Sequence, residues 1–314
     1  MKKITSIIIG LLSSLSVFAQ STYQPMQTET YHIIDRLEIK SGKLSDSVFT
    51  TVKPFNRKAL QNYSHQISLD TTIELSKTDK ELINYIDRDN WMYTGNGFEK
   101  SKNPIFKNIY KSKSDFFAVN VPDFSLRFNP VLYNVIGKEN DNEKNIYTNT
   151  RGVEIEGIIS KKLAFYTYVT ENQLRAPGYV QNNLDSNFRI LAGSGLTKPY
   201  SNGTAIDFSE ARGYISFSPI RHISVQFGSD RNFIGNGFRS MILSDVGNNN
   251  LFLKFNTNVW KLNYTNLFFE LTDVNGALNS KTFPKKYAAF HHLSVNLTKN
   301  LNIGLFENIV FAGD

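Results

Sequence analysis

Beyond about residue 111, apolar and polar side chains alternate along the chain with a period of two. One clear segment places Val153 and Ile155 on one face and Glu154 and Glu156 on the other. The same alternation recurs at residues 163–169, 215–218, 223–228, 251–256, 260–268, 292–297 and 301–305. Because successive side chains of a strand point to opposite faces, this pattern predicts half-buried β-strands, about nine in all.

The connections between these strands alternate in length. Short turns are predicted at residues 160–162, 218–221, 256–259 and 298–300, and long polar loops at residues 138–150, 171–210, 230–250 and 271–286. Outer-membrane barrels have short periplasmic turns and longer extracellular loops. Residues 111–314 are therefore predicted to be mainly β, as the first part of a transmembrane antiparallel up-and-down β-barrel. A soluble β-sandwich, which also alternates, is the alternative.

The number of predicted strands bears on how the sheet would close. Bacterial single-chain barrels have an even number of strands. An open sheet edge in lipid leaves backbone groups unpaired, at a cost of several kcal/mol each. An odd count that ends with the strand at residues 301–311 therefore leads us to expect a C-terminally truncated sequence, which lacks the closing strands.

The N-terminus has the pattern of an export signal. Lys2 and Lys3 precede an apolar stretch at residues 4–15, and small residues at Val17 and Ala19 predict cleavage before Gln20. Residues 1–19 are thus expected to be a signal peptide of a protein of the cell outer membrane. A lipoprotein anchor is excluded because the sequence contains no cysteine.

Residues 20–110 show a mixed pattern and are predicted to form a small N-terminal periplasmic segment with short helices. A helix is expected to begin near Pro54, and a second one is expected to be capped by Ser76. Residues 31–39 fit either a strand or a short helix. The segment is expected to be globular or to resemble a plug.

The amino-acid composition excludes several classes of protein. With 40% hydrophobic residues and no cysteine, the chain is neither a multi-span helical protein nor a disulfide scaffold. The formal charge of +7 is not gathered in a basic stripe, so no nucleic-acid partner is expected. None of the five histidines lies in an H-E-x-x-H frame, and Asp87–Asp89 begins like a calcium loop but has Met92 where glycine is required. No enzymatic activity, cofactor or metal site is predicted.

Four stretches of sequence suggest a family. They are residues 34–42, residues 47–58, the loop at residues 227–245, and residues 252–270. In these stretches the chain resembles the Wzi-like capsule assembly proteins of Bacteroidota, which include the gliding motility protein RemB. The resemblance implies an outer-membrane barrel of about 18 strands with a helical periplasmic segment ahead of it. It also implies a non-enzymatic, lectin-like anchor for capsular polysaccharide.

The loop at residues 230–250 is the best candidate for ligand binding, since binding residues favour loops on rigid scaffolds. Sugar recognition uses planar donors, amides and an aromatic face, and acidic sugars favour arginine. The predicted polysaccharide-binding residues are Arg231, Asn232, Phe233, Asn236, Phe238 and Arg239. A constriction loop folded into the lumen explains the same residues equally well, and the two interpretations are compatible.

Polar residues on the predicted strands are expected to face the lumen. They are Glu154, Glu156, Lys254, Asn263 and His292. Mutual pairing of Glu154, Glu156 and Lys254 accounts for their charges as well as ligand binding does. His291 and His292 are expected on opposite faces because side chains alternate.

Three functions are compatible with these features. The preferred hypothesis is a barrel, embedded in outer-membrane lipid, that binds or anchors surface polysaccharide in capsule assembly. The first alternative is a gliding-motility or adhesion protein that binds other cell-surface proteins. The second alternative is a general porin.

Overall fold

The computed structural model describes residues 20–105, 109–140, 144–182, 190–191, 193–272 and 284–313. The predicted signal peptide, residues 1–19, lies outside the described residues. Of the helices that are described, none is both long and apolar enough to cross a membrane.

The chain is mainly β, with a large antiparallel sheet. In chain order the strands are β1 (Val52–Lys53), β2 (Phe117–Val121), β3 (Phe124–Gly137), β4 (Ile146–Ile159), β5 (Leu163–Arg175), β6 (Ile190–Leu191), β7 (Gly195–Leu196), β8 (Lys198–Tyr200), β9 (Ala205–Ile220), β10 (Ile223–Asp230), β11 (Phe233–Ile234), β12 (Asn250–Val259), β13 (Leu262–Thr272), β14 (Lys285–Asn296) and β15 (Asn302–Ala312). Eleven strands form one sheet in the order β15-β14-β13-β12-β10-β9-β5-β4-β3-β2, with β8 beside β9. Among the described strands, β2 and β15 are the two ends of this path, so the sheet is open.

Nine strands of this sheet have eight or more residues, which agrees with the number predicted from the alternation. Short connections at residues 160–162, 221–222, 260–261 and 297–301 alternate with long ones at residues 138–145, 176–204, 231–249 and 273–284. Strand β9 extends into the predicted turn at residues 218–221 and ends at Ile220, and β12 extends through the predicted turn at residues 256–259. Reversal of the chain needs only two residues there, and Trp260 adopts a positive φ of 54° at one of these turns.

The N-terminal segment contains three helices, α1 (Thr30–Ser41), α2 (Arg57–Leu69) and α3 (Lys77–Asp89), and a 3₁₀ turn at Trp91–Tyr93. A further short helix, α4 (Gly178–Gln181), lies in a long loop. The ambiguous stretch at residues 31–39 is helical. Ser76 and Asp79 form a capping box at the start of α3, so the predicted cap is confirmed. The apolar faces of the three helices form one core, which includes Ile34, Leu37, Leu60, Ile83 and Ile86.

The helical segment packs directly on one face of the sheet, which we name the inner face. This face carries Arg127, Glu156, Tyr214, Lys254 and Asn296. The Tyr23 N–H donates to the Tyr214 hydroxyl (2.8 Å), and the Asn296 amide donates to the Ser45 carbonyl (3.0 Å). Strand β1 pairs with β11, which lies in the loop after β10. Contacts therefore join the segment to strands distributed along the whole sheet.

Burial differs sharply between the two faces of the sheet. Polar inner-face side chains are buried, with at most 8% exposure: Arg127, Thr150, Glu156, Thr170, Asn172, Ser216, Gln226, Lys254, Asn263, Thr265, His292, Ser294 and Asn296. Apolar side chains of the outer face are exposed: Leu132, Ile136, Ile215, Phe217, Phe227, Leu251, Leu262, Phe268, Ile303 and Leu305. A soluble protein buries its apolar side chains and exposes polar ones, so this sheet has the opposite arrangement.

Strands β4 and β5 approach too closely at Gly152 for a side chain. A Cβ there would lie 2.0 Å from the Val169 carbonyl oxygen and 2.6 Å from Thr170 Cγ2. We expect Gly152→Ala to force the strands apart and to lower the free energy of unfolding by about 1–3 kcal/mol. Gly247→Ala is the matched control, since no atom lies within 4 Å of its added Cβ. Thermal unfolding followed by circular dichroism measures both, and equal melting temperatures would contradict the expectation.

Candidate functional site

A buried network of two arginines and two carboxylates joins the helical segment to the inner face. The Arg57 Nη1 donates to Asp89 Oδ2 (2.8 Å), and its Nε lies 3.3 Å from Glu156 Oε1. The Arg127 Nη1 donates to Asp89 Oδ1 (2.9 Å), and its Nη2 lies 2.6 Å from Glu156 Oε2. The Thr22 hydroxyl also donates to Glu156. Arg57, Arg127 and Glu156 are buried, whereas the Asp89 side chain is 23% exposed. The formal charges of the four groups cancel, which allows the three buried ones to be held away from water.

This network lowers the pKa of the Asp89 carboxyl. Burial alone would raise its pKa, but the Arg57 and Arg127 guanidinium groups outweigh burial and hold the pKa of Asp89 well below its usual range. The depressed pKa means that the ionised form stabilises the folded state. This contribution is present above the unfolded pKa of about 4 and is lost as the pH falls toward the folded pKa.

A second charged cluster lies nearer the long loops. The Arg231 Nη2 donates to Glu210 Oε1 (2.9 Å), and the Arg212 Nε lies 3.4 Å from the same oxygen. Arg212 Nη1 is 3.8 Å from Asp230 Oδ1. The Arg212 guanidinium carbon stands 4.1 Å from the centroid of the Tyr168 ring, a cation–π distance. This cluster fixes the first residue of the loop after β10 against strand β9.

Between these two clusters lies a cavity of about 810 Å³, which we name the loop-side cavity. Its arginines are Arg57, Arg127, Arg212, Arg231 and Arg239, and its acidic residues are Asp89, Glu154, Glu210 and Asp245. Tyrosine rings and amides complete it: Tyr85, Tyr133, Tyr166, Tyr168, Gln24, Asn129 and Asn172. The volume lies within the range of about 300–1,000 Å³ that is typical of small-ligand sites. The cavity thus offers aromatic faces and planar hydrogen-bonding groups with nearly balanced charge.

The first part of the loop after β10 folds inward. Phe233 and Ile234 form β11, are 2% exposed and pair with β1. Ile234 joins a buried cluster with Phe252 and Leu267 on the inner face. This is the arrangement that the constriction-loop interpretation describes. Phe233 therefore serves packing, because a buried ring cannot present its face to a sugar.

The other residues predicted in this loop lie in different places. Arg231 and Arg239 line the loop-side cavity, and Arg239 is exposed and forms no ion pair with any described residue. The Asn232 Oδ1 accepts from Lys254 Nζ (3.0 Å). Asn236 lines a smaller cavity of about 280 Å³, and Phe238 is 87% exposed. Of the six predicted residues, the two arginines are therefore the ones that line the loop-side cavity.

The predicted lumenal residues all lie on the inner face, but the charged ones do not pair with each other. Glu156 pairs with arginines instead, Glu154 lines the loop-side cavity, and Lys254 lies apart from both. Asn263 exchanges hydrogen bonds with Asn256. His292 is 3% exposed, whereas His291 lies on the outer face and contacts Asn266 Oδ1 (2.6 Å). Mutual pairing of Glu154, Glu156 and Lys254 is therefore wrong.

A second cavity, of about 640 Å³, lies at the end of the sheet with the short turns, and we name it the turn-side cavity. Its polar lining consists of Ser21, Tyr23, Ser47, Asn56, Lys58, Asn62, Ser216, Ser218, Arg221, His222, Ser224, Lys254, Asn256, Asn258 and Asn263. It shares no lining residue with the loop-side cavity. Residues 20–24 and the start of α2 supply residues to both cavities.

Sequence reasoning missed much of the loop-side cavity. Tyr166 and Tyr168 alternate with Phe165 and Thr167 along β5, and Arg212 occupies an inner-face position of β9. Their period-two positions were available as a signal. The partners of Arg57 and Asp89 were not, because ion pairs between distant segments leave no local pattern.

Comparison with models of known protein families, with curated proteins and with solved structures gives no match. Within the described ranges, no group of three or more histidine or acidic side chains converges closely enough to hold a metal ion.

Replacing Asp89 tests the network. Asp89→Asn leaves two buried guanidinium groups short of one counter-charge, and breaking such a pair costs about 3–5 kcal/mol. We expect that loss in the free energy of unfolding at pH 7. The variant is also expected to lose less stability than the wild type between about pH 4 and pH 2, because the titrating group is gone. Urea unfolding at several pH values measures both effects.

Glu81→Gln is the control for this prediction. Its carboxylate is exposed and lies 4.0 Å from Lys77 Nζ on the outside of α3. Removing it is expected to change the free energy of unfolding by less than about 1 kcal/mol. If Asp89→Asn behaves like Glu81→Gln, the network does not stabilise the contact between segment and sheet.

Proposed function

We propose that the chain is an outer-membrane β-barrel protein that binds or anchors surface polysaccharide, as the resemblance to the Wzi-like capsule assembly proteins implies. The observation that carries the proposal is the inverted burial of the sheet, with its polar face covered and its apolar face exposed. Soluble monomers rarely expose contiguous apolar patches larger than a few hundred Å². An exposed apolar face of this kind is compatible with contact to the acyl chains of a lipid bilayer.

The strand lengths and connections agree with this solvent. Strands of about 9–11 residues cross a bilayer when tilted, and most of the long strands reach or exceed that length. The short connections share one end of the sheet, which the proposal assigns to the periplasm. A barrel further requires that the edges at β2 and β15 be paired, since lipid cannot satisfy their backbone groups.

The loop-side cavity supports a saccharide as the ligand. Tyr85, Tyr133 and Tyr168 supply rings that are not buried. Arg231 and Arg239 supply guanidinium donors at the edge of the cavity. Sugar rings offer both a C–H face and many hydroxyls, so a site of this composition suits them. The cavity lies at the long-loop end, which would face the cell surface in a membrane barrel.

The alternatives fit less well. A general porin needs a water-filled lumen, whereas the helical segment covers the inner face. A gliding-motility or adhesion protein needs a surface for partner proteins, and Phe238 and Met241 are fully or almost fully exposed. That function stays the second candidate. Normal cell-bound polysaccharide but lost spreading in a deletion strain would favour it.

Replacing an outer-face residue by lysine tests whether lipid or water covers this face. Phe227 is 48% exposed in the middle of β10. If water covers this face, Phe227→Lys is expected to change the stability of the protein very little. If lipid covers it, the charge costs about 2–4 kcal/mol near the midplane, and we expect the protein to be depleted from the outer-membrane fraction. Met241→Lys in the exposed loop is the control, and equal levels of both variants in that fraction would refute the membrane proposal.

The polysaccharide proposal is tested in cells. We expect the double variant Arg231→Ala/Arg239→Ala to shed polymer into the medium and to retain less on the cell, because two donors of the loop-side cavity are lost. Arg88→Ala, an exposed arginine of α3 outside both cavities, is the control. Immunoblots of outer membranes establish equal protein levels. Retention equal to that of the wild type would remove this cavity as the polymer site.

A further inference from the structure

The turn-side cavity differs from the loop-side cavity in its charge. Its lining includes Lys58, Arg221 and Lys254 and no aspartate or glutamate. None of the three cations lies within 4.0 Å of a described carboxylate, and the buried carboxylate of Asp230, outside the lining of this cavity, attracts Lys254 from a greater distance. The loop-side cavity, by contrast, sets four acidic residues against five arginines. An uncompensated cationic cavity attracts an anion.

Lys254 is the central group of this cavity. Its side chain is 4% exposed, and its Nζ donates to Asn232 Oδ1 (3.0 Å). The ammonium also lies 4.9 Å from the centroid of the Tyr23 ring. The Phe252 ring centroid is 5.7 Å away. One amide oxygen and two rings do not supply a hydrogen-bond acceptor for each of the three donors of an ammonium. A buried charge is normally paired, because leaving it unpaired is costly.

The surroundings of Lys254 indicate what kind of anion fits. Hydroxyls and amides line the cavity beside it, among them Ser216, Ser224, Asn256 and Asn263. Such neutral donors and acceptors match the hydroxyls of a sugar better than an apolar tail. Arg221 and His222 are exposed at its edge, where an entering ligand would meet them first.

We propose that the turn-side cavity is a second binding site, which takes an acidic sugar whose carboxylate or phosphate ester meets the Lys254 ammonium. The sugar part of this inference rests on the proposed function, whereas the anion site does not depend on membrane insertion. The site is separate from the loop-side cavity, with which it shares no lining residue.

The test is calorimetric titration of the full chain, solubilised in detergent, with tetragalacturonate, glucose 6-phosphate and neutral maltotetraose. We expect one of the two acidic probes to bind more tightly than maltotetraose, and to weaken as salt is raised. The tighter acidic probe identifies carboxylate or phosphate as the recognised group. Equal binding of maltotetraose, no binding of either acidic probe, or tighter binding of inorganic phosphate than of both would overturn the proposal.

Variants assign the binding to this cavity. Lys254→Met is expected to weaken the acidic probe about tenfold or more, and Lys254→Arg to retain most of the affinity. If Lys254→Met does not fold, the double variant Lys58→Gln/Arg221→Gln reduces the charge outside the buried centre and is expected to weaken the same probe. Unchanged affinity in the folded variants would overturn the proposal. Arg88→Ala, an exposed arginine outside both cavities, is the control and is expected to bind the acidic probe normally. Loss of this binding in Arg231→Ala/Arg239→Ala but not in the turn-side variants would assign it to the loop-side cavity, and would overturn this proposal while leaving the proposed function intact.

Discussion

The covering of the polar inner face is the constraint on which the rest of the structure depends. Backbone pairing alone leaves buried positions such as Gln226, Lys254 and Asn296 in need of partners that form hydrogen bonds. The segment before the sheet supplies several of them: Ser45 accepts from Asn296, and the Tyr23 N–H donates to Tyr214. The ion pairs of Arg57 with Asp89 and Glu156, and of Arg127 with the same two carboxylates, hold the segment against the sheet. The helical segment therefore packs against the inner face of the sheet and belongs to the same folded unit.

Much of the fold could be predicted from the sequence because it is encoded locally. The alternation of apolar and polar residues at Val153–Glu156 indicates which side chains share a face of the sheet. The Ser76–Asp79 pair indicates where a helix begins. The faces of His291 and His292 follow from the same period. These features need only neighbouring residues, and the structure agrees with them. The resemblance to a capsule assembly family and the membrane location are not local features and remain proposals.

The candidate site was less predictable. Asp89 stands in a stretch that begins like a calcium loop, yet it is a counter-ion for Arg57 and for Arg127, residues 32 and 38 positions away. Phe233 looks like a sugar platform in the loop sequence, but it is buried where β11 pairs with β1. Pairing with a glutamate was one of two explanations open for Lys254, and the structure places Lys254 beside Tyr23 instead. Each of these contacts joins segments that are far apart in the chain.

Residues 20–24 and the start of α2 lie between the two cavities, and their position determines which side chains a bound ligand contacts. Gln24 and Arg57 face the cavity on one side, and Ser21, Tyr23 and Asn56 face the cavity on the other. Within the described residues, the loop-side and turn-side cavities have no lining residue in common. A ligand in one cavity therefore contacts different side chains from a ligand in the other, and a substitution in the lining of one leaves the lining of the other unchanged.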